Sequence, residues 1–126
     1  LKLVAGTIAM VVVIVSFAFF SYYRTSLLSE ELLSSLEQLQ AAVEEGCPEA
    51  TGAELKELKS RWERADAWWT PLMDHREIDL LDQTIIRIDQ NIKQQRSEDT
   101  LVEIGAARRM VERIRDRERP LTKNIF

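Results

Sequence analysis

The chain has 126 residues, 45% of them hydrophobic and 30% charged, with a formal net charge of −4 and a pI near 5.1. That acidic balance argues against nucleic acid as a partner, and a single cysteine, Cys47, excludes an intramolecular disulfide. The length suits one small domain plus an extra element.

The extra element comes first. Leu3 to Phe20 (LVAGTIAMVVVIVSFAFF) carries no charge. Eighteen residues at about 1.5 Å each span roughly 27 Å, close to the hydrocarbon thickness of a bilayer. Ser21, Tyr22, Tyr23 and Arg24 follow, the aromatic-then-basic edge expected at a membrane interface. Ser16-Phe17-Ala18 has the form of a signal-peptide cleavage site, but the apolar run exceeds a usual h-region and continues through Phe20, which favours an uncleaved anchor. The division expected is a transmembrane anchor over residues 1–23 and a helical domain over 24–126. Lys2 and the α-amino group on one side, against Arg24 on the other, lean towards a cytoplasmic N-terminus and an extracytoplasmic domain in the cell membrane.

Past the anchor the apolar spacing is helical throughout. Leu28, Leu32, Leu36, Leu39 and Val43 form one stripe of a helix over Thr25–Glu45, which Gly46 and Pro48 end. Residues 46–52 (GCPEATG) read as a turn-rich loop. A second helix is expected near Ala53–Trp69, with Leu55, Leu58, Trp62 and Ala65 on one face. A third, near Asp74–Gln94, has an a/d-type seam of Ile78, Leu81, Ile85, Ile88 and Ile92. The fourth starts at Ser97 as N-cap, with Glu98 and Asp99 complementing the helix dipole, and carries Leu101, Ile104, Ala107 or Arg108, Val111 and Ile114. Arg113, Arg115, Arg117 and Arg119 suit its C-terminal end, and Pro120 stops it. The fold class is therefore all-α: an N-terminal transmembrane helix followed by a small bundle of about four helices in two helical hairpins.

A shift of 49 residues maps Leu36, Leu39, Val43, Leu55, Leu58 and Trp62 onto Ile85, Ile88, Ile92, Ile104, Ala107 and Val111. The match suits either a repeated hairpin or the chance alignment of two amphipathic hairpins. Charge divides along a similar line. Residues 25–82 hold 14 acids and 5 bases, and residues 83–126 hold 7 acids and 10 bases, so the halves can attract each other within one fold.

The stretch DAWWTPLMDHREID, Asp66 to Asp79, concentrates the residue types of a site. Asp74 and Glu77 have the spacing of a D-x-x-E capping box. Pro71 is expected to keep Thr70 out of helical geometry and so place the turn between Trp69 and Asp74. His75, Asp79 and Asp82 share one side of the third helix, at the border of its apolar stripe. They can ligate a divalent metal or, as border positions usually do, pair with a neighbouring helix, where Arg61 and Arg64 are candidates. Trp68 and Trp69 cannot face the same way: one is expected to join Trp62 in the core, the other to pack under the turn or anchor a partner. No phosphate loop, Cys-x-x-Cys or H-E-x-x-H pattern is present, so no catalytic residue, metal or cofactor is nominated.

These features resemble those of the domain-of-unknown-function 4363 family. SYYR at the end of the anchor, ELKELKSRWERADAWW, DHREID and the terminal LTKNIF carry the likeness, while GCPEATG departs from the family's more usual short acidic or Asn/Trp-containing loop. The resemblance implies a bacterial single-pass membrane protein, chiefly of Firmicutes, with a helical domain and no established activity. It also implies that Trp62, Trp69, Asp74, His75, Glu77, Ile78 and Asp79 belong to the family pattern. The function expected is a membrane-tethered, non-enzymatic interaction module. It would use the bilayer through residues 3–20 and meet another membrane or envelope protein through the bundle surface, with Trp62, Trp68, Trp69, Asp74, His75, Glu77, Asp79 and Asp82 as a cluster that is a structural corner first and a partner-binding surface second. The alternative is a metal- or ligand-responsive sensor on the His75, Asp79 and Asp82 face. Homo-oligomerisation is a further possibility, the leucines of the first helix continuing the anchor into a parallel coiled coil.

Overall fold

A computed structural model describes residues 1–118, and among them the fold is four α-helices. They are α1 (Lys2–Glu45), α2 (Pro48–Trp69), α3 (His75–Lys93) and α4 (Ser97–Glu118). The expected helix stop at Pro120, Arg119 and the LTKNIF ending lie outside the described residues.

The helix expected over Thr25–Glu45 starts earlier: the candidate span and the first bundle helix are one unbroken helix of 44 residues. No glycine or proline interrupts the chain between Gly6 and Gly46, so the change of composition near Tyr23 alters the helix's surroundings without ending it. Residues up to Phe20 are exposed on every side. From Thr25 onward the same helix buries Leu28, Leu32, Leu36 and Leu39.

The bundle half of α1 packs along α2 and α4, and α3 packs along α4, whereas α2 and α3 approach each other at few points. Short turns make consecutive helices antiparallel. Leu39, Leu58, Leu81, Ile88 and Ile104 are wholly buried, each worth about 1.5–3 kcal/mol of transfer from water. Trp62 and Trp69, the bulkiest buried side chains on α2, join this core. The opposed charges of the two halves meet as expected. Arg108 reaches Glu37 (3.2 Å), Arg115 reaches Glu30 (3.3 Å), and Arg117 pairs with Glu77.

The turns correct the sequence reading further. GCPEATG is mostly helix: only Gly46 and Cys47 connect α1 to α2, because Pro48 occupies the first helical turn, where its missing N–H costs nothing. Gly46 adopts φ 70°, and the N–H groups of Gly46 and Cys47 bond back to Val43 O and Ala42 O, a Schellman stop. The turn after α3 repeats this with a non-glycine residue. Gln95 has φ 59°, and the N–H groups of Gln95 and Arg96 bond to Ile92 O and Asn91 O. Ser97 is the first helical residue and not an N-cap; the Arg96 carbonyl accepts from Thr100 N.

Those two turns stand 49 residues apart, as do their supports. The Thr51 hydroxyl donates to Cys47 O at 2.8 Å, and the Thr100 hydroxyl to Arg96 O at 2.8 Å. Ser35 and Thr84, also 49 apart, are both buried. Of the twelve apolar positions that the shift pairs, all are buried but Ile92, which is partly so. The hairpins α1–α2 and α3–α4 thus share turn geometry as well as apolar spacing.

Candidate functional site

The corner between α2 and α3 starts where the backbone ladder of α2 runs out at Pro71, which has no N–H to give. Thr70 nevertheless keeps helical geometry (φ −53°, ψ −46°), against the usual bias of a residue before proline. Its N–H bonds to Asp66 O and its hydroxyl donates to the Asp66 carboxylate at 2.7 Å, and the two together hold it there. The turn itself falls between Trp69 and Asp74 as expected. Asp74 caps α3 by accepting from Arg76 N at 2.9 Å. The reciprocal half of the capping box does not form, because the Glu77 side chain is drawn to Arg117 on α4.

The expected His75, Asp79 and Asp82 face separates into different roles. Asp82 turns towards α2 and accepts the Trp62 indole N–H at 2.8 Å. His75 and Asp79 are exposed. Among the described residues no group of three His, Cys, Asp or Glu side chains is placed to hold a metal ion. The arginines expected to meet this face are elsewhere: Arg61 pairs with Glu57 and donates to Glu31 O on α1, and Arg64 is exposed. The α2–α3 seam is bridged one turn further along, by Lys59 and Asp89 at 2.9 Å. Burial works to raise the Asp89 carboxyl pKa, but hydrogen bonds and charge from Lys59 and Lys93 outweigh it and hold the group below its usual range.

The two adjacent tryptophans diverge, as two neighbours on a helix must. Trp69 is wholly buried and meets Trp62 edge-on, with ring centroids 6.3 Å apart. Trp68 is half-buried and meets Phe20 edge-on at 5.7 Å, with the ring planes 78° apart. Phe20 is the last residue of the apolar run, so this contact seats the α2–α3 corner on the end of the candidate span.

Beside that contact lies a groove of about 550 Å³ between α1 and the turn, lined by Phe17, Phe19, Tyr22 and Thr25 on one wall and Leu72 and Met73 on the other. None of its lining residues among those described carries a charge. Leu72 and Met73 lie inside the stretch Asp66 to Asp79, among aromatics and charges that carry a stronger sequence signal. Their signal is two large apolar side chains directly after a turn proline, where polar residues are usual. Chemically the groove beside the corner offers apolar area and aromatic edges.

The family model described as "Domain of unknown function (DUF4363)" matches residues 19–125 of the chain. The match therefore takes in the corner and the bundle but only the last residues of the apolar run. No curated protein and no solved structure matches the chain.

Proposed function

The chain belongs to the DUF4363 family, and we propose that it is a single-pass, membrane-anchored helical interaction module, without catalytic activity, whose bundle stands on the extracytoplasmic side. One observation carries the reading. Within α1, an apolar segment with no buried residue and a fully packed core stripe are continuous. A helix of such composition and length can cross a membrane, and uncovered apolar area on that scale calls for a covering phase. Tethering in the bilayer raises the effective concentration of the bundle for a membrane or envelope partner without any new contact. Asp82 is engaged by the Trp62 indole across α2 and α3, which takes one of the three side chains of the His75, Asp79 and Asp82 face away from a metal and favours a binding surface over a metal-responsive one.

The experiment is crosslinking in intact bacteria, with the full chain recovered and its adducts identified. A recurrent adduct with one membrane or envelope protein is the expected result, and repeated failure to recover one overturns the module reading. Sidedness is tested on the same cells through Cys47, the chain's one thiol and exposed at the first hairpin turn. A membrane-impermeant maleimide should label it before lysis; labelling only after lysis places the bundle in the cytoplasm.

A further inference from the structure

We infer that the α2–α3 turn is a second bilayer contact, in which Leu72 and Met73 enter the hydrocarbon edge beside the last turn of the span and phospholipid acyl chains fill the groove between them and α1. This rests on the anchored reading above and adds where the bundle sits relative to the bilayer.

Level decides the matter first. Trp68 packs on Phe20, and the groove wall opposite Leu72 and Met73 begins at Phe17. Phe17 to Phe20 is the final turn of the apolar run, about 5 Å of helix rise. When α1 spans the bilayer, a corner seated on Phe20 through Trp68, with its turn facing Phe17 and Phe19 across the groove, stands at the boundary of hydrocarbon and headgroups. No hinge separates the two, since α1 runs unbroken through the contact.

Chemistry agrees with level. Leu72 is 48% exposed and follows the exposed Pro71, an apolar tip that water disfavours. The uncharged groove suits a hydrocarbon chain better than a polar ligand. One turn above lies the collar expected at headgroup level. Tyr22 and Tyr23 are aromatic, and among the described residues Arg24 and Arg76 make no ion pair. Each arginine is long enough to lay its stem along apolar surface and offer its guanidinium to lipid phosphate. A soluble partner helix would meet this surface only at a depth already occupied by lipid.

The test uses the full chain in phosphatidylcholine–phosphatidylglycerol vesicles, with Cys47→Ser as background and an environment-sensitive fluorophore on one introduced thiol. Leu72→Cys and Met73→Cys report the turn, Val12→Cys the span, and the natural Cys47 without the background change the far end of the bundle. Circular dichroism verifies that each labelled chain keeps its helices. The expected result at positions 72 and 73 is a blue-shifted emission, loss of fluorescence with lipids carrying a shallow doxyl group, and indifference to aqueous iodide. Cys47 should show the reverse. Quenching by iodide at 72 and 73, with Val12→Cys still quenched by doxyl lipid, overturns the turn contact and leaves the anchor standing. Shielding of 72 and 73 from both quenchers means that a second copy of the chain covers them, which also overturns it. Iodide quenching at position 12 as well removes the anchor and this inference together.

Discussion

Substituting Trp62→Phe isolates one interaction that closes the sparsest side of the bundle. Phenylalanine keeps an aromatic ring against Trp69 but removes the indole N–H that bonds Asp82 across the α2–α3 seam at 2.8 Å. Hydrogen bonds to charged groups contribute about 1.5–3 kcal/mol. Asp82 is only half-buried and recovers part of its hydration when the donor is lost, so a value at or just below that range, about 1–1.5 kcal/mol, is expected for the pair. The smaller ring adds a packing loss of roughly 1 kcal/mol, which a double-mutant cycle with Asp82→Ala removes. In Asp82→Ala the Trp62 N–H, on a side chain 5% exposed, is the group left unpaired. Urea unfolding of the full chain in mild detergent, followed by circular dichroism, gives the four stabilities. A coupling of about 1 kcal/mol or more supports the argument. If the two losses add to within about 0.3–0.5 kcal/mol, the bond contributes nothing and the seam is held by ring packing alone.

Two further outcomes follow from the turns and the second seam contact. Gln95 holds a left-handed conformation that glycine adopts freely, so Gln95→Gly should raise stability by about 0.5–1 kcal/mol, and Gly46→Ala should lower it by about 1 kcal/mol. Opposite signs in urea midpoints support the shared Schellman geometry, and equal signs refute it. Asp89 has a folded-state pKa below the unfolded value, so its contribution is fully present above the unfolded value of about 3.9 and is lost as pH falls through the folded one. Asp89→Asn should therefore cost under about 1 kcal/mol at neutral pH, its lysine partners being largely exposed. The gap to the parent chain should close in acid; a gap independent of pH shows that charge plays no part.

How much of this was legible follows from what each signal measures. Apolar period reports which face of a helix is covered, and it found the stripes from Leu28 to Ile114 because four helices around one core leave no other way to bury them. Single-residue chemistry reports less. Glu77 carries the capping-box spacing, but a guanidinium on α4 competes for its carboxylate, and nothing near Glu77 in the chain announces Arg117. Asp82 shares a helix face with His75 and Asp79, yet an indole on α2 claims it first. In both cases a partner distant in sequence decided the role that local spacing left open.

The boundary near Tyr23 teaches the complementary point. Composition changes there from hydrocarbon-like to charged, and the natural inference from that change is that one helix ends and another begins at Thr25. Helix ends, however, are set by backbone donors and by residues such as Gly46 and Pro71, and none stands between Gly6 and Gly46. One rigid element therefore passes through two kinds of surrounding, buried in neither along its first 20 residues and packed on two sides beyond Thr25. If the apolar part of α1 spans a membrane, a bundle carried on such a helix does not swivel freely about it. Any tilt or rotation of such a span would be delivered directly to α2 and α4, and the Phe20–Trp68 contact ties the α2–α3 corner to the same element. A partner that moves the span would accordingly reorient the whole bundle surface, and one that grips the bundle would load the span, with no flexible segment between them to absorb the change.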